Sequence, residues 1–194
     1  MSKVRSICVY CGSRFGASPR YRALAEAVGG AIAAAGLTLV YGGGQVGLMG
    51  VVARAALAAG GRVIGIIPGH LDEIEVSQQG LSELHVVPDM HTRKRMMFDR
   101  SDAFLVLPGG LGTLDEFIEV TTWSQLDLHD RPIILLNHEG YWDPLLGLID
   151  HVIREGFAGP ESAHLFTVAG SVEEVFKILL VSERPRHAAH PDLF

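Results

Sequence analysis

The sequence predicts a single α/β domain, a parallel sheet flanked by helices on both faces, and three observations predict it. Short β-branched runs alternate with helical stretches along the chain, the order that a parallel sheet with crossover helices requires. Two glycine-rich turns, Gly42-Gly43-Gly44 and Pro108-Gly109-Gly110-Leu111-Gly112, each stand between a strand and a helix. The 194 residues, 48% hydrophobic and 20% charged, suit one core and contain no low-complexity run.

Val4 to Tyr10 is the first predicted strand. Ser18 and Pro19 start a helix whose apolar face, Leu24, Ala27, Val28, Ala31, Ile32 and Ala35, recurs at helical spacing until Gly36 stops it. Leu37 to Tyr41 is the second strand, and Leu48, Val51, Val52, Ala55 and Ala56 stripe a second helix that ends near Gly60-Gly61. Arg62 to Ile67 is a third strand. Pro68 to Gly80 is polar and irregular, and Leu84 to Val87 resumes a short strand before Pro88. Met90 to Ser101 reads as a helix, Ala103 to Leu107 as a buried strand and Leu114 to Leu126 as a helix. Pro132 to Asn137, Asp143 to Glu155 and Ser171 to Leu180 supply a strand and two helices, with Ser171 as N-cap over Glu174. The domain is expected to span residues 1–182, with 183–194 a loose tail.

The net charge of −6 gives no basic stripe for a nucleic-acid backbone, so polymeric DNA or RNA is excluded as the expected partner. The densest basic run, Arg93-Lys94-Arg95 followed by Arg100, suits a small anion instead. No stretch approaches the ~20 apolar residues that span a bilayer, and the N-terminus lacks the pattern of a signal peptide; the expectation is a cytoplasmic protein without membrane partners. Cys8-Val9-Tyr10-Cys11 has redox spacing, but on a strand positions three apart point to opposite faces, which favours structural thiols. No histidines stand at i, i+4 on a predicted helix, and no metal or cofactor is expected.

Gly42, Gly44 and Gly47 match G-x-G-x-x-G, yet no acidic residue follows at the distance a dinucleotide ribose needs, since the chain there reads Arg62-Val63-Ile64-Gly65. NAD is disfavoured. Neither turn continues into Gly-Lys-Ser/Thr, so ATP-driven chemistry is not indicated. The turn at Pro108 to Gly112 follows a buried strand and opens onto a helix, where backbone amides bind an anion. Thr113 and Glu116 also fit a capping box, and Asp115 and Glu116 in a first helical turn would be favoured by the helix dipole without any chemistry.

The nonapeptide Pro-Gly-Gly-Leu-Gly-Thr-Leu-Asp-Glu at 108–116, preceded by Met90-His91-Thr92-Arg93-Lys94, closely resembles the signature of the Lonely Guy family of cytokinin-activating phosphoribohydrolases. The resemblance runs from Cys11-Gly12-Ser13 through Gly42 to Gly50, on to Thr122-Trp123-Ser124-Gln125-Leu126 and Leu136-Asn137, roughly nine-tenths of the chain. It implies a Rossmann-like fold without dinucleotide, a homodimer, and hydrolysis of nucleoside 5′-monophosphates, N6-modified adenosine or AMP, to free base and ribose 5-phosphate. By the same matching, Arg93 and Glu116 are the catalytic pair. Glu75, Arg93, Lys94, Gly109, Gly110, Leu111, Gly112, Thr113, Leu114, Asp115 and Thr122 are implied nucleotide contacts, with Gly43, Gly44 and Ser13 as weaker candidates from the other turns. A carboxylate beside the sugar suits the chemistry, because breaking C1′–N9 passes through an oxocarbenium-like state. Arg93 would stabilise the departing base, protonate it through water, or orient Glu116. Two departures stand beside the glycines: Leu111 where the family often has Tyr, and Asp115 where it often has Glu.

Two other classes compete. Sequences of this type have carried the label lysine decarboxylase, which requires pyridoxal phosphate on a lysine, and Lys3, Lys94 and Lys177 offer no persuasive Schiff-base site. A nucleotide-binding or pterin-cofactor carrier would use the same glycine turns without breaking a bond. Phe117, Ile118 and Trp123 read equally as core or as a dimer face.

Overall fold

The computed structural model describes residues 4–69 and 80–182. Its sheet has seven strands, β1 (Ser6–Tyr10), β2 (Thr38–Tyr41), β3 (Val63–Pro68), β4 (Glu83–Val87), β5 (Ala103–Val106), β6 (Ile133–Leu136) and β7 (Thr167–Ala169). They lie in the order β4-β3-β2-β1-β5-β6-β7, every neighbouring pair parallel. Among the described residues the α-helices are α1 (Pro19–Ala34), α2 (Gly47–Ala58), α3 (Met90–Asp99), α4 (Leu111–Gln125), α5 (Asp143–Arg154) and α6 (Val172–Val181).

The period-2 alternation of the central strands divides the core in two. Ile7, Val9, Leu105 and Leu107 face a cluster completed by Leu24, Val28 and Ile32 of α1, Val51, Val52 and Ala56 of α2 and Leu179 of α6. Cys8, Tyr10, Phe104 and Val106 face the other cluster, with Met97 and Phe98 of α3, Phe117 and Val120 of α4, and Leu145 and Ile149 of α5 packed on it. Helices therefore cover both faces, as the sequence predicts. At Gly29, where α1 crosses α2, a Cβ would lie 2.4 Å from the Val52 carbonyl oxygen, so this packing requires glycine. Cys8 and Cys11 are free thiols buried in opposite clusters.

Local signals explain most element ends. The Ser18 side chain accepts from Arg20 N–H over Pro19, and Gly36, at φ +68°, lets Leu37 N–H reach back to the Ile32 carbonyl. Two features differ from the sequence reading. Strand β7 is an edge strand of three residues, two of them exposed, too short to show an alternation. Helix α4 begins at Leu111, three residues earlier than expected, because Gly110 takes the extended N-cap conformation and Gly112 is itself helical.

Strand order fixes where a ligand can sit. From β1 the chain winds outward through β2, β3 and β4, then returns to β5 on the other side of β1, so the crossovers diverge there and leave a crevice beyond the carboxyl ends of β1 and β5. The loops leaving those two strands meet at once: Gly12 N–H donates to the Pro108 carbonyl at 3.1 Å.

Candidate active site

A cavity of about 650 Å³ fills that crevice. Its walls come from the loop after β1 (Cys11 to Gly16), the start of α2 (Leu48, Met49), α3 (Met90, Arg93), the glycine turn and first turns of α4 (Pro108 to Thr113, Glu116), and two tyrosines, Tyr21 and Tyr141.

The glycine turn forms one wall. Leu107 N–H pairs with the Tyr10 carbonyl and the Pro108 carbonyl accepts from Gly12, which seats the turn against β1. No side chain caps α4 at Gly110, and Leu114 N–H is the first to find an intrahelical carbonyl. The amides of Leu111, Gly112 and Thr113 thus precede the first intrahelical bond of a 15-residue helix, the arrangement that binds an anion. At Gly109 a Cβ would lie 2.1 Å from Thr113 Oγ1, so only glycine lets the turn close over the buried Thr113.

The same geometry corrects the capping-box reading. With the helix starting at Leu111, Thr113 is its third residue and Glu116 its sixth, so neither caps it, and Asp115 and Glu116 lie beyond the first turn. Glu116 instead shares the inward stripe of Thr113, Phe117 and Val120, with its side chain 12% exposed. Burial raises its pKa to about 7, against the opposing pull of the Arg93 charge.

Arg93 lies across the cavity on the inward face of α3, which starts at Asp89 with its side chain accepting from Thr92 N–H at 2.8 Å. Its guanidinium is held from behind. Nε donates to the Ile66 carbonyl at 3.1 Å and Nη2 to the Gly42 carbonyl at 3.0 Å, while Nη1 lies 3.8 Å from Glu116 Oε1. The first glycine turn serves this arrangement: a Cβ on Gly42 would fall 1.8 Å from Nη2. Gly43 and Gly44 are buried and do not line the cavity, and α2 spends its Leu48 amide on the Gly12 carbonyl.

The remaining candidates divide. Ser13, Leu111 and Gly112 line the cavity. Lys94 does not; it pairs with Asp115 at 3.1 Å and Glu119 at 2.9 Å, and these carboxylates raise its pKa against the lowering effect of burial. Leu114 is off the cavity wall and Thr122 is on the exposed side of α4. Glu75 lies outside the described residues. Sequence reasoning missed Arg14, Phe15, Tyr21 and Tyr141, which carry no motif, and gave no role to Met49 and Met90, which lie inside the matched stretches; the six meet only through the fold. His129, one of the unassigned histidines, is a core residue: its ring bonds the Val120 carbonyl and Arg131 N–H and packs edge-on against Phe98 and Phe104.

A family model described as possible lysine decarboxylase matches residues 49–179. The chain is 49% identical over 170 residues, 87% of its length and 86% of the relative's, to a cytokinin riboside 5′-monophosphate phosphoribohydrolase of Rhodococcoides fascians. It is 45% identical over 186 residues, 96% of its length and 87% of the relative's, to one of Arabidopsis thaliana. Among solved structures it resembles the molybdenum cofactor binding protein of Rippkaea orientalis (TM-score 0.69, 26% identity, 93% of this chain and 97% of that one). It also resembles the Moco carrier protein of Chlamydomonas reinhardtii (TM-score 0.67, 22% identity, 91% and 97%), a likeness of fold. Pyridoxal phosphate chemistry does not fit the cavity: among the described residues no lysine lines it, and Lys94 is committed to two carboxylates.

Proposed function

The chain belongs to the family of cytokinin riboside 5′-monophosphate phosphoribohydrolases, and from that premise we propose that it hydrolyses the N-glycosidic bond of N6-modified adenosine 5′-monophosphates, and of AMP, in the cavity between β1 and β5. The observation that carries this reading is the buried Glu116–Arg93 pair facing an anion-binding helix start across one cavity. In this reading the 5′-phosphate rests on the amides of Leu111 to Thr113, with Ser13 and Arg14 beside it. The base lies among Met49, Met90, Tyr21 and Phe15, in a cavity large enough for an N6 substituent.

Ionised Glu116 stabilises the oxocarbenium-like sugar and accepts a proton from the attacking water. The water oxygen bonds to C1′, the C1′–N9 electron pair leaves with the base, and the proton finally resides on the base. Two donors of Arg93 are spent on backbone carbonyls, so it holds Glu116 and does not shuttle protons. Of its three candidate roles, the pinned geometry supports orientation. A carrier would gain nothing from a buried carboxylate beside its phosphate site, which leaves Glu116 unexplained in that reading.

Incubation with AMP and with N6-isopentenyl-AMP is expected to release free base and ribose 5-phosphate, read by chromatography. Tight binding with no release from either would make the protein a carrier.

The reading includes a homodimer. Ile118 (46% exposed) on the outer side of α4 and Leu126 (61%) just past its end flank Thr122, an apolar stripe suited to a two-fold contact with a second copy. Ile118→Asp is expected to shift the chain from dimer to monomer in sedimentation at micromolar concentration; a wild-type chain that sediments as a monomer would overturn this. A cytoplasmic location accords with the free thiols Cys8 and Cys11.

A further inference from the structure

We propose that Tyr141 is a positioning residue for the phosphate-binding turn, acting through the carbonyl of Gly109. This rests on the reading of that turn as the phosphate site.

Strand β6 lies beside β5, so the segment that leaves β6 passes over the glycine turn that leaves β5. That segment is tightly shaped. Glu139 and Gly140 both take left-handed backbone, at φ 50° and 74°, and Asn137 fastens the far side, its Oδ1 accepting from Trp142 N–H and its Nδ2 donating to Asp143, each at 2.7 Å. The result aims the Tyr141 hydroxyl into the cavity wall, where it donates to the Gly109 carbonyl at 2.7 Å.

The ring is braced on two sides. Tyr21 meets it edge-on at 5.4 Å and Trp142 at 4.7 Å. Tyr21 is held in turn by Arg20, whose Nη2 donates to the Tyr21 hydroxyl at 2.9 Å and which pairs with Glu139 on the segment that carries Tyr141. This closed circuit joins the start of α1 to the loop after β6 and delivers one hydrogen bond to the turn.

The bond matters because of what a glycine turn can do wrong. An anion site needs N–H groups forward and carbonyls back, and in a run of glycines a peptide can rotate to present oxygen instead. Two consecutive carbonyls here are tied: Pro108 to Gly12 N–H and Gly109 to Tyr141. With both held, the Gly109 and Gly110 N–H groups, which share those two peptide planes, are fixed opposite the tied carbonyls and lead into the amides of Leu111 to Thr113 at the helix start. Backbone contacts supply the first tie, and among the described residues Tyr141 alone supplies the second.

The test is Tyr141→Phe, which keeps the ring and removes the hydroxyl. Calorimetric titration with ribose 5-phosphate is expected to show affinity weakened about 5–10-fold, the worth of one hydrogen bond. KM for AMP should rise by a similar factor with kcat within about 2-fold, and the melting temperature should stay within a few degrees. Unchanged ribose 5-phosphate affinity, a fall in kcat at unchanged KM, or a loss of affinity matched by a collapse in melting temperature would each overturn the proposal. So would a wild-type protein that binds no ribose 5-phosphate at millimolar concentration. If the wild type binds ribose 5-phosphate but hydrolyses no monophosphate, the hydrolase reading fails while the titration still decides the role of Tyr141.

Discussion

Glu116→Gln is expected to cut turnover of nucleoside 5′-monophosphates by about 10²-fold or more and to leave ribose 5-phosphate binding within a few-fold of wild type. The amide fits the space of the carboxylate, so the fold should survive, but it carries no charge to set against an oxocarbenium-like sugar and accepts no proton from water. The wild-type pH profile should carry the same signature. Because burial lifts the Glu116 pKa to about 7, kcat/KM is expected to rise with unit slope up to about pH 7 and then level. A rate for Glu116→Gln near that of wild type would remove the carboxylate from the mechanism.

This substitution has a second consequence with a definite sign. A carboxyl group whose folded pKa lies above its unfolded value binds more protons in the native state, so its contribution to stability falls as pH rises between about 4.5 and 7. Wild-type protein ionises Glu116 at a cost in that window, and Glu116→Gln does not. The stability of the variant relative to wild type should therefore increase by about 2 kcal/mol from pH 5 to pH 8, measured by urea unfolding. A pH-independent difference would show that Glu116 keeps an ordinary carboxylate pKa, and the acidic limb of the rate profile should then lie near pH 4.5.

The fold was legible because its signals are local and repeated. Leu24, Val28 and Ile32 recur at helical spacing, β1 and β5 alternate between two core faces, and Gly36 stops α1 where its left-handed conformation is needed. The start of α4 is not legible because Gly110 is its N-cap and supplies no side-chain cap, the signal by which helix starts are recognised. Once α4 begins at Leu111, Glu116 falls on the stripe of Thr113, Phe117 and Val120, and a carboxylate on an apolar helix face demands a partner. Arg93, beside Met97 on the inward face of α3, is the matching signal. The two tyrosines could not be read this way: Tyr21 and Tyr141 stand 120 residues apart, and only the adjacency of β5 and β6 with the closure of the α1 start over them brings them together.

Arg93→Ala is expected to lower kcat/KM at pH 7 by about 10²-fold and to move the acidic limb of the pH profile upward, so that part of the loss is recovered near pH 9. The direction follows from the geometry. Arg93 is the leading influence that lowers the Glu116 pKa, and without it burial acts unopposed, leaving less carboxylate ionised at neutral pH. Arg93 also ties the ends of β2 and β3 through the Gly42 and Ile66 carbonyls, and its removal leaves both carbonyls without that donor, so some loss of stability should accompany the kinetic change. Arg93→Lys separates the two effects: it keeps a positive charge but lacks the planar fork that bonds two carbonyls and still faces Glu116, so its acidic limb should stay near that of wild type while kcat falls by about tenfold. Gly42→Ala reaches the same point from outside the cavity, since its Cβ would occupy the space of Nη2 and displace the guanidinium from Glu116. If the acidic limb stays in place in both Arg93→Ala and Gly42→Ala, Arg93 does not govern the charge of Glu116, and its contribution has to be sought in direct contact with the base.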